Sequence, residues 1–292
     1  MVSHGFKDGC VFPEYKSTRL PPALLSSKQH HTINYSRPQF DKRYQALKMA
    51  LGALYTIPPP PAAYEHYLPV INAFTLVSGL CWVACYIGQA RHSMTHRTYS
   101  MPFFAQASNL AWEFVYGGLV YPSPLALERL VFLSGFVTNT ILQYTAIRYG
   151  RAEWAHAPLV ARNLGTLYAL TIAVFVAGNL AAAEQFGPHI GGYYVAILAQ
   201  LIISVGSLAQ LLTRGATRGL SLWLWTFRHV GSIVAAPCFY IRAVYWPEAF
   251  GFLMDPVMLW MGGISYLAEL AYGVLFWWIQ KQEAERVRRK SE

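Results

Sequence analysis

Seven apolar stretches restrict this chain more than any other feature. They run at about 68–90, 101–121, 129–148, 160–183, 190–213, 220–244 and 256–280, each near the ~20 residues that a helix needs to cross a bilayer. Breaks between them carry charge, proline or glycine: Arg91 to Ser100, Pro122 and Pro124, Gly150 to Pro158, Glu184 to Pro188, Arg214 to Gly219, and Pro247 to Pro256. A bilayer leaves no water for backbone groups, so apolar spans of this length read as helices. The expectation is an all-α integral membrane bundle of seven transmembrane helices over residues 67–281. A polar, proline-containing extension (1–66) precedes it and a basic tail (282–292) follows. Composition agrees: only 13% of residues are charged, against about 25% in soluble domains, which argues against a soluble globular enzyme. With 54% hydrophobic residues and four cysteines, a disordered chain or a disulfide scaffold is excluded as well.

The net charge of +9 would suit nucleic acid, but its distribution does not. Basic residues sit in short runs between apolar stretches, as they do in membrane proteins facing an anionic leaflet. Arg91 and Arg97, Arg148 and Arg151, and Arg214 and Arg218 occupy alternate loops, and Lys281, Arg286, Arg288, Arg289 and Lys290 follow the last span. Seven crossings put all of these on one side, so the C-terminus is expected in the cytoplasm and the N-terminus in the lumen, in the endoplasmic reticulum membrane. The basic residues of the extension lie about 20 or more residues before the first span, where the rule weakens. No signal-peptide core follows Met1 and no prenylation box ends the chain. Tyr44 to Thr56 reads as an interfacial helix, Pro58 to Pro61 as a stiff linker, and Asn34 as a lumenal glycosylation acceptor. No internal repeat and no mid-span helix break is evident, which disfavours a transporter.

Ionisable groups deep in a span are costly and mark function. Between residues 67 and 281 there are seven acids. Glu128, Glu153, Glu184, Glu248 and Asp255 fall at or near loops; Glu113 and Glu269 do not. Each of these two lies 12 residues from the cytoplasmic end of its span, roughly 18 Å by helical rise. Two antiparallel helices thus place carboxyl groups at one depth. The expectation is that the two form one functional site; the alternative is that each is satisfied separately by a polar neighbour or a helix carbonyl. A carboxyl group in low dielectric favours its neutral, proton-bearing form, and a second one beside it reinforces this. Asn109, one turn before Glu113, is placed to orient it.

Aromatic residues surround both positions. Tyr266 and Tyr272 bracket Glu269, while Trp112, Tyr116 and Trp260 add ring faces, as do Trp223, Trp225 and Phe227 on the sixth span. Ring faces stabilise a passing carbocation by about 0.5–2 kcal/mol each, although they also serve packing and interfaces. Arg228 and His229, about 14 Å into the sixth span, either contact the acids or the substrate's polar group, or Arg228 snorkels outward. His229 is a candidate to take the final proton. Cys81 and Cys85 read as small buried apolar residues, and His92 with His96 as a loop pair rather than metal ligands. The only aspartates are Asp8, Asp41 and Asp255, so no acid cluster exists to hold magnesium diphosphate. No metal and no cofactor is expected. No lysine lies within a span, which excludes a retinal Schiff base.

The segment Asn109-Leu-Ala-Trp-Glu-Phe-Val-Tyr116, together with seven spans and a second acid in the last, resembles the membrane-bound terpene cyclases of fungal meroterpenoid and indole-diterpene biosynthesis. The resemblance covers about residues 67–280. It implies that Glu113 protonates an epoxide or terminal alkene of a prenyl chain, and that Glu269 stands where the family usually has an essential Asp. It further implies a lipophilic, epoxyfarnesyl-type aromatic substrate drawn from the bilayer. The long N-terminal arm departs from the family. The alternatives are a sterol-isomerase-like membrane enzyme and a seven-helix transporter or receptor.

Overall fold

The computed structural model describes residues 57–120 and 126–291. The interfacial stretch 44–56, the Asn34 sequon and the turn at Pro122 and Pro124 lie outside these residues. Helix is the only regular structure among the described residues. The main helices are α1 (Leu68–His96), α2 (Phe103–Trp112), α3 (Ala126–Tyr149), α4 (Pro158–Phe186), α5 (Pro188–Arg214), α6 (Leu222–Ile233), α7 (Ala235–Tyr245) and α8 (Pro256–Ser291). Five of them, α1, α3 with its 3-10 extension to Trp154, α4, α5 and α8, are long and apolar enough to cross a membrane.

The other two expected spans are each divided, which corrects the expectation of unbroken helices. In the first, α2 passes at Glu113 into a π-helix, Glu113–Leu119, where Gly117 and Gly118 weaken the preference for α geometry. Widened turns of this kind recur at functional sites. The second is interrupted at Val234, between α6 and α7. Pro237 explains the break. It lacks an N–H, and its ring clashes with the carbonyl four residues back, so it is tolerated only in a first helical turn, where α7 places it. Mid-span breaks therefore do not separate this chain from a transporter.

α2 forms the interior, with every residue from Ala105 to Ala111 buried. It packs on α4 and α5, and α1 packs on α3 and α6, α4 on α5, and α5 on α8. Small residues permit the close approach of α2, as in membrane helix interfaces generally. Large apolar side chains such as Leu80, Leu130, Val174 and Val274 point outward, where a bilayer receives them.

The basic loops converge on one end. The Arg97 guanidinium lies over the Tyr149 ring, Arg214 donates to the Tyr99 carbonyl, Arg218 pairs with Glu153, and Thr217 donates to Glu283. At the other end Tyr67 meets Tyr245, and His189 meets the Ala249 carbonyl. α8 has 36 residues, about 54 Å of helix, so the basic tail continues the last span without a break.

Candidate active site

Glu113 sits where α2 becomes π-helical, 4% exposed, and meets hydrogen-bond donors from three helices. Tyr86 Oη of α1 donates to its Oε1 at 3.0 Å and Asn109 Nδ2 of α2 to the same oxygen at 3.2 Å. Asn139 Nδ2 of α3 donates to Oε2 at 2.9 Å. Asn109 also donates to Tyr86 Oη at 2.5 Å, which ties the set together. Gly135 of α3 leaves room here, because a Cβ at that position would lie 2.9 Å from Glu113 Oε1 and oblige the carboxyl group to shift.

Glu269 on α8 is 2% exposed and makes a different set of bonds. Arg228 of α6 grips it bidentately, Nε to Oε1 at 2.9 Å and Nη2 to Oε2 at 3.0 Å, and Ser204 of α5 donates to Oε1 at 3.0 Å. Arg228 is itself buried, not turned to the surface, and lies 4.8 Å over the ring of Tyr272. A fork of this kind is the geometry of a guanidinium with an ionised carboxylate. No hydrogen bond joins Glu113 to Glu269 among the described residues; each is satisfied by its own polar neighbours.

The two acids nevertheless line adjoining cavities. The one at Glu113 has a volume of about 220 Å³ and is walled by Trp82, Tyr86, Trp112, Phe132 and Phe239. The one at Glu269 has about 440 Å³, with His229, Tyr266, Met258 and Phe239 in its walls. Ile197, Gln200, Ser232, Ala235 and Phe239 belong to both. Gln200 donates to Ser204, which donates to Glu269. Ala235 and Phe239 lie on α7, just after the break at Val234.

Ring placement follows the buried stripe of each helix. On α6 that stripe is Leu224, Arg228 and Gly231, so Trp223 (74% exposed) and Phe227 (40%) point outward. Trp260 of α8, 59% exposed, faces outward too. These three are corrected from the expectation that they wall a site. Trp225, His229 and Tyr266 form a stacked ladder, with centroids 5.1 and 5.7 Å apart, and Trp225 Nε1 donates to the Glu269 carbonyl. The indole lies so close to Gly273 that a Cβ there would be 2.4 Å from it. Trp112 and Tyr116 satisfy their polar atoms on the Gly192 and Asn179 carbonyls, leaving ring faces as wall. Trp82, Phe132, Asn139, Gln200, Ser204 and Phe239 were not singled out from sequence. Asn139 carried a legible signal, an amide ten residues inside a span.

A third buried acid was missed. Glu128, expected near a loop, is 6% exposed and pairs with Arg242 at 2.5 Å. The reason is that α3 begins at Ala126, earlier than hydropathy suggested, and turns Glu128 onto the end of α7. This pair walls a further cavity, of about 150 Å³, which shares Ser78, Trp112, Val131, Phe132, Ala196, Ala235 and Phe239 with the cavity at Glu113.

Comparison with known proteins identifies the family. Residues 55–282 match the family model of Pyr4-like transmembrane terpene cyclases. The chain is 39% identical to terpene cyclase cdmG of Talaromyces verruculosus over 80% of its own length and 97% of that protein. It is 40% identical to terpene cyclase atmB of Aspergillus flavus and 38% identical to terpene cyclase paxB of Penicillium paxilli, each over 76% of this chain and 91% of the relative. A multi-pass helical protein with buried acids on aromatic cavities, this chain belongs to the Pyr4-like transmembrane terpene cyclases.

Proposed function

We propose that the chain protonates the epoxide, or a terminal alkene, of a prenylated aromatic substrate and guides the ensuing carbocation through ring closure. The observation that carries this reading is Glu113, a buried carboxyl group on an aromatic cavity wall with three donors aimed at its oxygens. These donors are of most use after the proton has left, because they stabilise the carboxylate that forms in the transition state. Asn139 serves both states: its Oδ1 has no partner among the described residues, and a rotated amide would accept the acid's O–H. The Glu113 proton passes to the epoxide oxygen, the C–O bond to the more substituted carbon breaks, and the nearest alkene attacks that carbon. Trp82, Trp112, Phe132 and Phe239 offer π faces to the cation as it moves.

Glu269 takes a separate role in this scheme. Arg228 holds it as a carboxylate, so it is not the source of the first proton. Its carboxylate borders the larger cavity and Arg228 does not, which presents the negative partner of the pair to a passing cation. His229 on the same wall is the candidate acceptor of the terminal proton. The chemistry asks for no metal or cofactor. In this reading α2 with its π-helix and α6 with α7 complete seven crossings, and the basic end faces the cytoplasm from the endoplasmic reticulum membrane. Endoglycosidase-sensitive mass on Asn34 tests that orientation.

The reading is tested by feeding epoxyfarnesyl phenols to microsomes that contain the protein and analysing the products. New cyclic isomers of unchanged mass are expected. An unchanged pool across a panel of such substrates would favour a role other than catalysis.

A further inference from the structure

We propose that Arg242, held by Glu128 and Tyr193, is a second binding site that takes a hydrogen-bond-accepting oxygen on the non-terpenoid nucleus of the substrate. The inference rests on the proposed function, to which it adds the orientation of the substrate. Arg242 is 2% exposed, as deeply buried as Glu269, yet it lies at the opposite end of the bundle from the basic loops. Its Nη1 donates to Tyr193 Oη at 2.5 Å and its Nη2 pairs with Glu128. Its Nε has no partner of strict hydrogen-bond geometry among the described residues, and the Tyr64 hydroxyl lies against the same guanidinium and interacts with it. A buried charged group whose donors are not all well satisfied is costly, so its place in the fold matters.

That place is a cavity wall. Arg242 and Glu128 line the cavity of about 150 Å³ that also contains Tyr116, Tyr193 and Cys238. That cavity shares the Trp112 and Phe132 walls with the cavity at Glu113. Along α3, Glu128 and Asn139 are 11 residues apart, about 16 Å. The substrate class has two unlike ends, a reactive prenyl terminus and a polar nucleus. Glu113 addresses the first; among the groups lining the adjoining cavity, Arg242 is the charged donor able to address the second. A nucleus oxygen on Arg242 would point the chain past Trp112 and set the terminal epoxide toward Glu113. Arginine suits this task because it stays charged and offers donors in a fixed fork.

The test uses the full-length protein in detergent and two tritiated farnesyl probes without an epoxide. One is a farnesyl phenol bearing a ring methyl ester, and the other is the matching farnesyl benzene. Binding, not turnover, is read. One hydrogen bond to a charged donor corresponds to about 10–100-fold in affinity, so the wild type should favour the oxygenated probe by that margin. Replacing both partners by apolar residues of similar size, Glu128→Leu with Arg242→Met, leaves no buried charge unpaired and is the change most compatible with folding. The preference should fall to within about threefold of unity while the benzene probe binds as before. Tyr193→Phe, which removes one of the groups that hold the guanidinium in place, should reduce the preference partially and serves if the double variant does not fold; an unchanged preference there would count against the proposal. A folded double variant with the wild-type preference, or equal loss of both probes, would overturn the proposal and leave the pair a structural one. Turnover of epoxidised probes by Glu113→Gln is read in parallel. An active Glu113→Gln with collapsed preference in the double variant would sink the acid assignment and spare this site.

Discussion

Gly135→Ala places a single methyl group against the proposed acid. The new Cβ would stand 2.9 Å from Glu113 Oε1 and 3.4 Å from its Cδ. Ordinary contact requires Oε1 to retreat by about 0.5 Å, and that oxygen is pinned by Tyr86 at 3.0 Å and Asn109 at 3.2 Å. A shift of that size disturbs the geometry of these bonds, of which the Asn109 bond is already the longest. A misplacement of about 1 Å can cost ~10²-fold in rate, so half that shift corresponds to roughly tenfold, or about 1.4 kcal/mol of barrier. The fold should not suffer, because alanine is favoured over glycine in a helix interior by about 0.5–1 kcal/mol. Turnover in microsomes, normalised to protein and set beside a thermal melt in detergent, reads both quantities. Gly178→Ala, with nothing within 4 Å of its Cβ, is the control and should behave as wild type. Wild-type turnover in Gly135→Ala, or a loss of rate matched by a collapsed melting temperature, would refute the reasoning.

Asn139→Leu removes the donor to Oε2 at 2.9 Å, and steady-state turnover should fall about 10–100-fold with the same product. Arg228→Met alone strands a buried carboxylate at a cost of about 3–5 kcal/mol, so the yield of folded protein should drop. Joining it with Glu269→Leu should restore the folded yield on size-exclusion chromatography but not the wild-type cyclisation rate. Turnover should survive EDTA, and loss that magnesium restores would contradict the acid-only scheme.

The long spans were legible because hydropathy over ~20 residues is a summed signal, strong enough to survive local exceptions. The two divided spans were not, since Pro237 and the Gly117–Gly118 pair act on backbone geometry, which an average over ~20 residues does not register. Glu113 and Glu269 stood out by depth, and the turn from Asn109 to Glu113 followed from helical spacing alone. Partners from other helices did not follow. Tyr86 and Asn139 reach Glu113 across 27 and 26 residues, and Arg228 reaches Glu269 across 41, distances that no single-helix period encodes. Glu128 does lie near a loop, in the first turn of α3, but its burial was not legible for the same reason, because it depends on Arg242, 114 residues away in sequence. The aromatic count was visible early, but which rings face inward depended on packing, and Trp223 and Trp260 turned out to face the exterior.

The most direct test of the account is product formation by Glu113→Gln on a substrate that the wild type cyclises. Glutamine keeps the side-chain length and accepts hydrogen bonds at one atom, but it carries no proton to donate. A neutral amide costs the membrane no more than a carboxyl group, so insertion and yield should match wild type. Turnover should fall by at least ~10²-fold, the lower bound for general acid–base contributions. Cyclic product formed by Glu113→Gln at a rate near wild type would contradict the claim that Glu113 delivers the initiating proton.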